Sequence, residues 1–189
     1  NHVYILGGLR SYIGVKDGMY RHIPAEKLGA EVLREVVSRF ELPTDAIDYI
    51  IGGNAVGGGG NITRLAALSA GFPERIPAVT LDLQCGSALE AISAAAAKIE
   101  SGMADLVIAG GMESSSVQPY RMMSPNHPEY DGGKVYTVAQ FVPGKRGEFL
   151  SEGARHGVDA AFGGRIGDFA GSAADAPYGG NIENASRFA

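Results

Sequence analysis

The chain has 189 residues, of which 45% are hydrophobic and 20% charged, and its formal net charge is −5. This length suits a single domain, and the composition is typical of a folded globular protein rather than a disordered one. The balance of 16 basic against 21 acidic residues disfavours a protein that binds nucleic acid through its phosphate backbone. The single cysteine excludes an internal disulfide framework and a cysteine-rich zinc site, and it fits a cytoplasmic location.

Short apolar runs alternate with helical periods through the first 116 residues. Helices are predicted after Pro24, after the N-cap candidate Asn61 and over 87–101. Strands that alternate with helices predict crossover units and a mainly parallel sheet. No run approaches the ~20 apolar residues of a membrane-spanning helix, so no membrane association is expected. The predicted strands are Val3–Leu6, Ile47–Ile51, Val79–Leu83 and Asp105–Ala109.

The alternating pattern decays after about Val117. Residues 117–189 hold 12 of the 28 glycines and only brief apolar runs. A structureless stretch of this length is unusual inside a compact domain. It is more typical of a functional loop region or of a segment that covers the core. Two regions are therefore predicted, an α/β core over 1–116 and an incomplete loop or cover region over 117–189.

Cys85 lies where the third predicted strand becomes the third predicted helix. The first N–H groups of a helix have no partners within the helix, and its dipole is positive there, so a thiolate at Cys85 is stabilised. A free cysteine is also a common buried and inert residue, so a nucleophile and a packing residue both fit. The helix that follows is small and apolar on almost every face, which predicts that it is buried.

Two segments resemble the thiolase family, which comprises acetyl-CoA acetyltransferases and 3-ketoacyl-CoA thiolases. QCGSALEAI at 84–92 resembles the thiolase nucleophile segment, and DLVIAGGMES at 105–114 resembles the strand that follows it. Further matches at 8–14, 28–30, 53–71 and 77–80 keep the family's order, so the resemblance covers residues 3–116. The segment around Met112 favours thiolases over the related β-ketoacyl synthases, which remain an alternative.

The resemblance implies a thiolase-like layered α/β fold, of which this chain is the N-terminal half, with a mainly parallel sheet around a buried helix. It implies acyl transfer in which Cys85 accepts an acyl group from acyl-CoA as a thioester, in lipid metabolism. Coenzyme A is then part of the substrate, and no bound cofactor or metal is expected. Tyr178 falls where the family has an apolar residue lining the acyl pocket, and Met112 is a second candidate lining residue. The family also implies a homodimer.

The sequence departs from the thiolase pattern in what it lacks. A complete thiolase has a second half with a His in a Gly-His-Pro motif and a second Cys, and this sequence has neither. The chain is therefore expected to be a fragment, a truncated product or one member of a split enzyme, with the C-terminal half in the same polypeptide or a partner subunit. This chain alone is then expected to be incomplete for catalysis. A non-catalytic thiolase-fold scaffold subunit is the alternative. Ala88 also stands where the family usually has Gly. The four histidines match no family motif: His2, His22, His127 and His156.

Overall fold

A computed structural model describes residues 2–57 and 59–137 of the chain. These residues fall into two compact units, 2–122 with 135–137, and 123–134. The elements of the first unit are α1 (Ala25–Arg39), a 3-10 turn (Thr44–Ala46), β1 (Tyr49–Gly53), α2 (Ile62–Ala70), β2 (Ala78–Leu81), α3 (Ser87–Glu100), β3 (Val107–Gly111), β4 (Tyr120–Met122) and β5 (Val135–Thr137). The described part of the second unit consists of turns, in which the His127 N–H donates to the Ser124 carbonyl at 2.9 Å and the Tyr130 N–H to the His127 carbonyl at 2.9 Å.

The main sheet is parallel and has the strand order β2-β1-β3, with Ile51 opposite Val79 on one side and Ala109 on the other. The chain moves outward from β1 to β2 through α2, then returns past β1 to β3 through α3. Because parallel crossovers are right-handed, this reversal places α2 and α3 on opposite faces of the sheet. The α/β fold class with a parallel sheet is thus confirmed.

Each face of the sheet has its own apolar core. Alternate side chains of a strand point to opposite faces, so Ile50 packs with α1 and α2 while Ile51 packs with α3. The α1–α2 side contains the larger cluster, and the α3 side contains small residues. The buried members of the first cluster are Leu33, Ile47, Ile50, Ala66, Ala67, Phe72 and Ile76, and those of the second are Ile51, Ala91 and Ala95.

The predicted helix boundaries are confirmed at the second helix. The Asn61 side-chain oxygen accepts from the Arg64 N–H at 3.1 Å, which caps one of the unpaired donors of the first turn of α2. The helix ends at Gly71, whose φ of +90° is the left-handed conformation that terminates many helices.

The strand predicted at Val3–Leu6 is wrong. Residues 2–14 form no strand, and the side chains of Tyr4, Ile5 and Leu6 are 75%, 85% and 71% exposed. An apolar extended segment becomes a strand only where a neighbour supplies backbone hydrogen bonds, and none of the described residues pairs with it. The short antiparallel pair β4–β5 was not predicted.

The predicted burial of α3 is confirmed only for the face that packs on the sheet. Only Ser87, Ala91 and Ala95 are buried, whereas Leu89 is 70% and Ile92 45% exposed. The helix packs one face on the sheet, and no other element in the described part of the chain covers the remaining faces. Small apolar residues on those faces therefore meet solvent here.

Asp48 joins the beginnings of β1 and β3. Its carboxylate accepts hydrogen bonds from the backbone N–H groups of Asp105 at 2.7 Å and Leu106 at 3.0 Å. These two bonds, with the positive charge of Arg75 as a lesser cause, lower the pKa of Asp48 below its ordinary value of 3.8. The ionised form thus favours the folded state, and its stabilisation is fully present above about pH 5.

We expect this stabilisation to be lost as the pH falls through the lowered pKa of Asp48. Asp48→Asn removes the titrating group, so the variant should lose less free energy of unfolding than the wild type between pH 5 and pH 2. Urea unfolding across this range measures the difference. Parallel pH profiles for the two proteins would contradict the role assigned to Asp48.

Candidate active site

Cys85 lies on an exposed turn between β2 and α3. The Gly86 N–H donates to the Leu83 carbonyl at 3.0 Å, and the Ser87 N–H to the Gln84 carbonyl at 3.1 Å, so the turn is tight. A Cβ at Gly86 would approach the Leu83 carbonyl oxygen to 3.3 Å, which explains a residue without a side chain beside the cysteine. The thiol is therefore presented to solvent at the start of a helix rather than sealed in the core.

Gln84, immediately before the cysteine, has a φ of +51°. Few residues other than glycine adopt this left-handed conformation. Its N–H donates to the Asp82 carboxylate at 2.9 Å, and its carbonyl accepts from the Ser87 hydroxyl at 2.6 Å. The same hydroxyl accepts from the Leu83 N–H at 2.8 Å. Neither Asp82 nor Ser87 was predicted from the sequence as a site residue.

Two glycines at the ends of neighbouring strands bring the start of α3 against the sheet. A Cβ at Gly53 would lie 2.5 Å from the Ser87 carbonyl carbon and 2.6 Å from the Ala88 nitrogen. A Cβ at Gly111 would lie 2.7 Å from the Ala88 Cβ. The methyl group of Ala88, the departure from the family pattern, thus lies against Gly111 at the end of β3.

A second turn follows β1 at the same edge of the sheet. Glu113 accepts from the N–H groups of Ala55 at 2.9 Å and Val56 at 3.0 Å, and from the Asn54 amide at 3.1 Å. The Asn54 oxygen in turn accepts from the Gly57 N–H at 3.0 Å. The turn that leads into the glycine-rich segment is therefore ordered, and its Ala55 and Val56 N–H groups are already bonded to a carboxylate. Sequence reasoning missed this role of Glu113, which only the pairing of β1 with β3 brings into reach.

Cys85 lies just before the N-terminus of α3. The aligned peptide dipoles of a helix leave partial positive charge at its N-terminus, and the first N–H of α3, that of Ser87, is already bonded to the Gln84 carbonyl. No described residue accepts a hydrogen bond from the Cys85 N–H itself.

The loop after β1 leads to α2 and the loop after β2 to α3, on opposite faces. Ligands of open α/β sheets bind in the crevice that such diverging loops leave at the carboxyl ends of the strands.

Met112 does not lie beside Cys85. It packs against the α1–α2 core, where a Cβ at Gly29 would overlap its sulfur, on the face of the sheet opposite α3. Tyr178 is outside the described residues. Of the described histidines, His22 accepts from the Arg21 side chain and His127 from the Glu129 N–H, and none is hydrogen-bonded to Cys85.

The described residues contain no group of three or more His, Cys, Asp or Glu side chains placed to hold a metal ion. Among the same residues, no helix has the length and apolar character needed to span a membrane.

Comparison with known proteins relates this arrangement to a family. The model of the thiolase N-terminal domain matches residues 3–149. The protein named "Putative acetyl-CoA C-acetyltransferase VraB" of Staphylococcus aureus (strain COL) is 34% identical over 158 residues, which cover 82% of this chain and 41% of that protein. "Putative acetyl-CoA C-acetyltransferase YhfS" of Bacillus subtilis (strain 168) is 39% identical over 143 residues, covering 72% and 38%.

A solved structure agrees with these relatives. The crystal structure of the Bacillus anthracis acetyl-CoA acetyltransferase superposes with a TM-score of 0.64 at 31% identity, covering 69% of this chain and 34% of that one. The chain spans about 40% of the length of the curated relatives it matches. Since the family model matches well over half of the residues and the fold agrees with a solved relative, the chain belongs to the thiolase family.

Proposed function

We propose that this chain is the nucleophile-bearing half of a thiolase-type acyltransferase, which moves an acyl group between CoA thioesters through a thioester on Cys85. The observation that carries the proposal is the exposure of the only cysteine on the turn that begins α3. The relatives named acetyl-CoA C-acetyltransferases support acetyl-CoA as the acyl donor.

The first half-reaction is a thioester exchange. The Cys85 thiol loses its proton, and the sulfur attacks the carbonyl carbon of acetyl-CoA. The bond between that carbon and the CoA sulfur breaks, CoA leaves with one proton, and the acetyl group stays on Cys85 as a thioester. In the second half-reaction, the CoA thiol, or the α-carbon of a second acyl-CoA, loses a proton and attacks the carbonyl carbon of this thioester. The new C–S or C–C bond forms, the bond to the Cys85 sulfur breaks, and the released cysteine takes up one proton. Covalent catalysis of this kind divides one difficult step into two easier ones.

The start of α3 supplies groups suited to this chemistry. The carbonyl oxygen of the attacked thioester becomes negatively charged, and the Cys85 N–H, which no described residue occupies, is a donor for it. The positive end of the helix stabilises this oxyanion. Proton transfer is assigned to residues beyond this chain's described part, because no described histidine is bonded to Cys85.

The other expectations from the family stay predictions within this proposal. They are a homodimer, a C-terminal half that supplies the acid and base, a cytoplasmic location and a role in lipid metabolism. Tyr178 also stays a candidate for the acyl pocket. For Met112, a lining role requires that the acyl group reach the α1–α2 side of the sheet, since that is where its side chain packs.

The exchange of labelled CoA tests the proposal, since it needs only the first half-reaction and its reversal. Because the acid and base are assigned to residues outside the described part, the full chain is incubated at about pH 9, where a free cysteine ionises without a base. It is given acetyl-CoA and isotopically labelled CoA, and we expect the label to appear in acetyl-CoA faster than in the same mixture without protein. Circular dichroism checks that the same sample is folded. A folded chain that transfers no label overturns the proposal and favours the non-catalytic scaffold subunit.

A further inference from the structure

The turn that carries Cys85 contains a strained residue. Gln84 is one of three residues other than glycine with a positive φ in the described part of the chain, with Asp17 and Glu41. Such a conformation persists only where the surrounding structure holds it, and it is concentrated at functional sites. The strain here is directly adjacent to the proposed nucleophile.

Both backbone polar groups of Gln84 are held by side chains. Asp82 accepts from the Gln84 N–H at 2.9 Å, and also from its side-chain amide at 3.2 Å. Ser87 donates to the Gln84 carbonyl at 2.6 Å while accepting from the Leu83 N–H at 2.8 Å. Ser87 is only 4% exposed, and the single proton of its hydroxyl is already donated within the turn. It is therefore not free to contact a substrate.

We propose that Asp82 and Ser87 are positioning residues that hold Gln84 in the left-handed conformation and so keep the Cys85 sulfur at the start of α3. The effect of this positioning on catalysis rests on the proposed function. The positioning of the thiol itself does not, because it concerns only the geometry of the turn. Without these hydrogen bonds, Gln84 returns to a conformation that its side chain favours. The next peptide then rotates, and Cys85 moves away from the positive end of the helix.

Two variants of Asp82, Asp82→Ala and Asp82→Asn, provide the first test. Asp82 is exposed, so both should fold. Asparagine keeps the oxygen that accepts from the Gln84 N–H, whereas alanine removes it. Cys85 is the only cysteine, so its rate of alkylation by iodoacetamide is read without ambiguity. We expect Asp82→Ala to slow alkylation about fivefold to tenfold, the effect of one lost hydrogen bond, and Asp82→Asn to keep or exceed the wild-type rate.

This pair separates positioning from simple electrostatics. If Asp82 acted only through its negative charge, both variants would ionise the thiol more readily and would react faster. Equal acceleration in the two variants, or no change in Asp82→Ala, would overturn the inference.

Glycine at position 84 provides the second test, through rescue. Glycine adopts positive φ without steric cost, so Gln84→Gly should make the turn less dependent on Ser87. We expect Ser87→Ala to slow alkylation about tenfold in the wild-type background and only about threefold in the Gln84→Gly background. A purely structural role of Ser87 predicts equal losses in both backgrounds, and that outcome would overturn the inference.

The two proposals fail in different ways. Wild-type protein that exchanges no labelled CoA refutes the acyltransferase proposal, whatever the alkylation rates. Wild-type protein that exchanges CoA, with alkylation rates insensitive to Asp82 and Ser87, refutes the positioning role alone.

Discussion

Gly53→Ala is expected to lower the free energy of unfolding by about 3 kcal/mol, the upper range for overpacking a well-packed site. The added Cβ would lie 2.5 Å from the carbonyl carbon of Ser87 and 2.6 Å from the nitrogen of Ala88. Both are backbone atoms of the first turn of α3, so no flexible side chain can move aside. The helix must shift away from β1, and the turn that carries Cys85 shifts with it. Urea unfolding measures the loss of stability.

Gly110→Ala is the matched control for this prediction. Gly110 lies in β3, next to the strand that contains Gly53, and a Cβ there would meet nothing within 4 Å. Both substitutions add one methyl group and restrict the unfolded chain equally, so any difference reports the contact with α3. Equal stability of the two variants would contradict the close packing of α3 on the strand ends.

Cys85→Ser is expected to abolish the exchange of labelled CoA while leaving the fold intact. A serine hydroxyl without an activating base is not ionised near neutral pH and is a far weaker nucleophile than a thiolate. We expect the exchange rate to fall at least about a thousandfold. Because the cysteine is exposed, the free energy of unfolding should change by no more than about 0.5 kcal/mol.

The loss of exchange without a loss of stability distinguishes a nucleophilic cysteine from a packing cysteine. A buried packing cysteine would instead show lost stability on substitution and no exchange in either protein. Exchange that persists in Cys85→Ser at the wild-type rate would show that another group carries the acyl chemistry.

The helices and the three central strands could be predicted from the sequence because local signals agree with the fold. Asn61 and Gly71 bracket α2 with a cap and a left-handed stop, and these depend only on neighbouring residues. The strand at Val3–Leu6 failed because a strand also needs a partner, which an apolar run does not specify. The burial of α3 is limited to one face for a related reason: small apolar residues permit close packing on all faces but do not supply the elements that pack there.

For the site, the sequence placed Cys85 at the strand-to-helix turn but not the groups that support it. Asp82 lies two residues before Gln84, which is the spacing at which an aspartate accepts from a turn N–H, so this signal was present. Nothing in the sequence indicates the positive φ of Gln84. The position of Met112 could have been found by counting: Val107, Ala109 and Gly111 face α3, so the next residue faces α1 and α2.

Location of an acetyl group on the chain tests the central claim most directly. The protein is incubated with acetyl-CoA, quenched in acid and digested, and the peptides are sequenced by tandem mass spectrometry, with Cys85→Ser treated in parallel. We predict one acetyl group per chain on the Cys85 sulfur, removed by added CoA and absent from the variant. A folded chain with Cys85 unmodified, or with acetyl groups only on lysines in both proteins, would contradict the account.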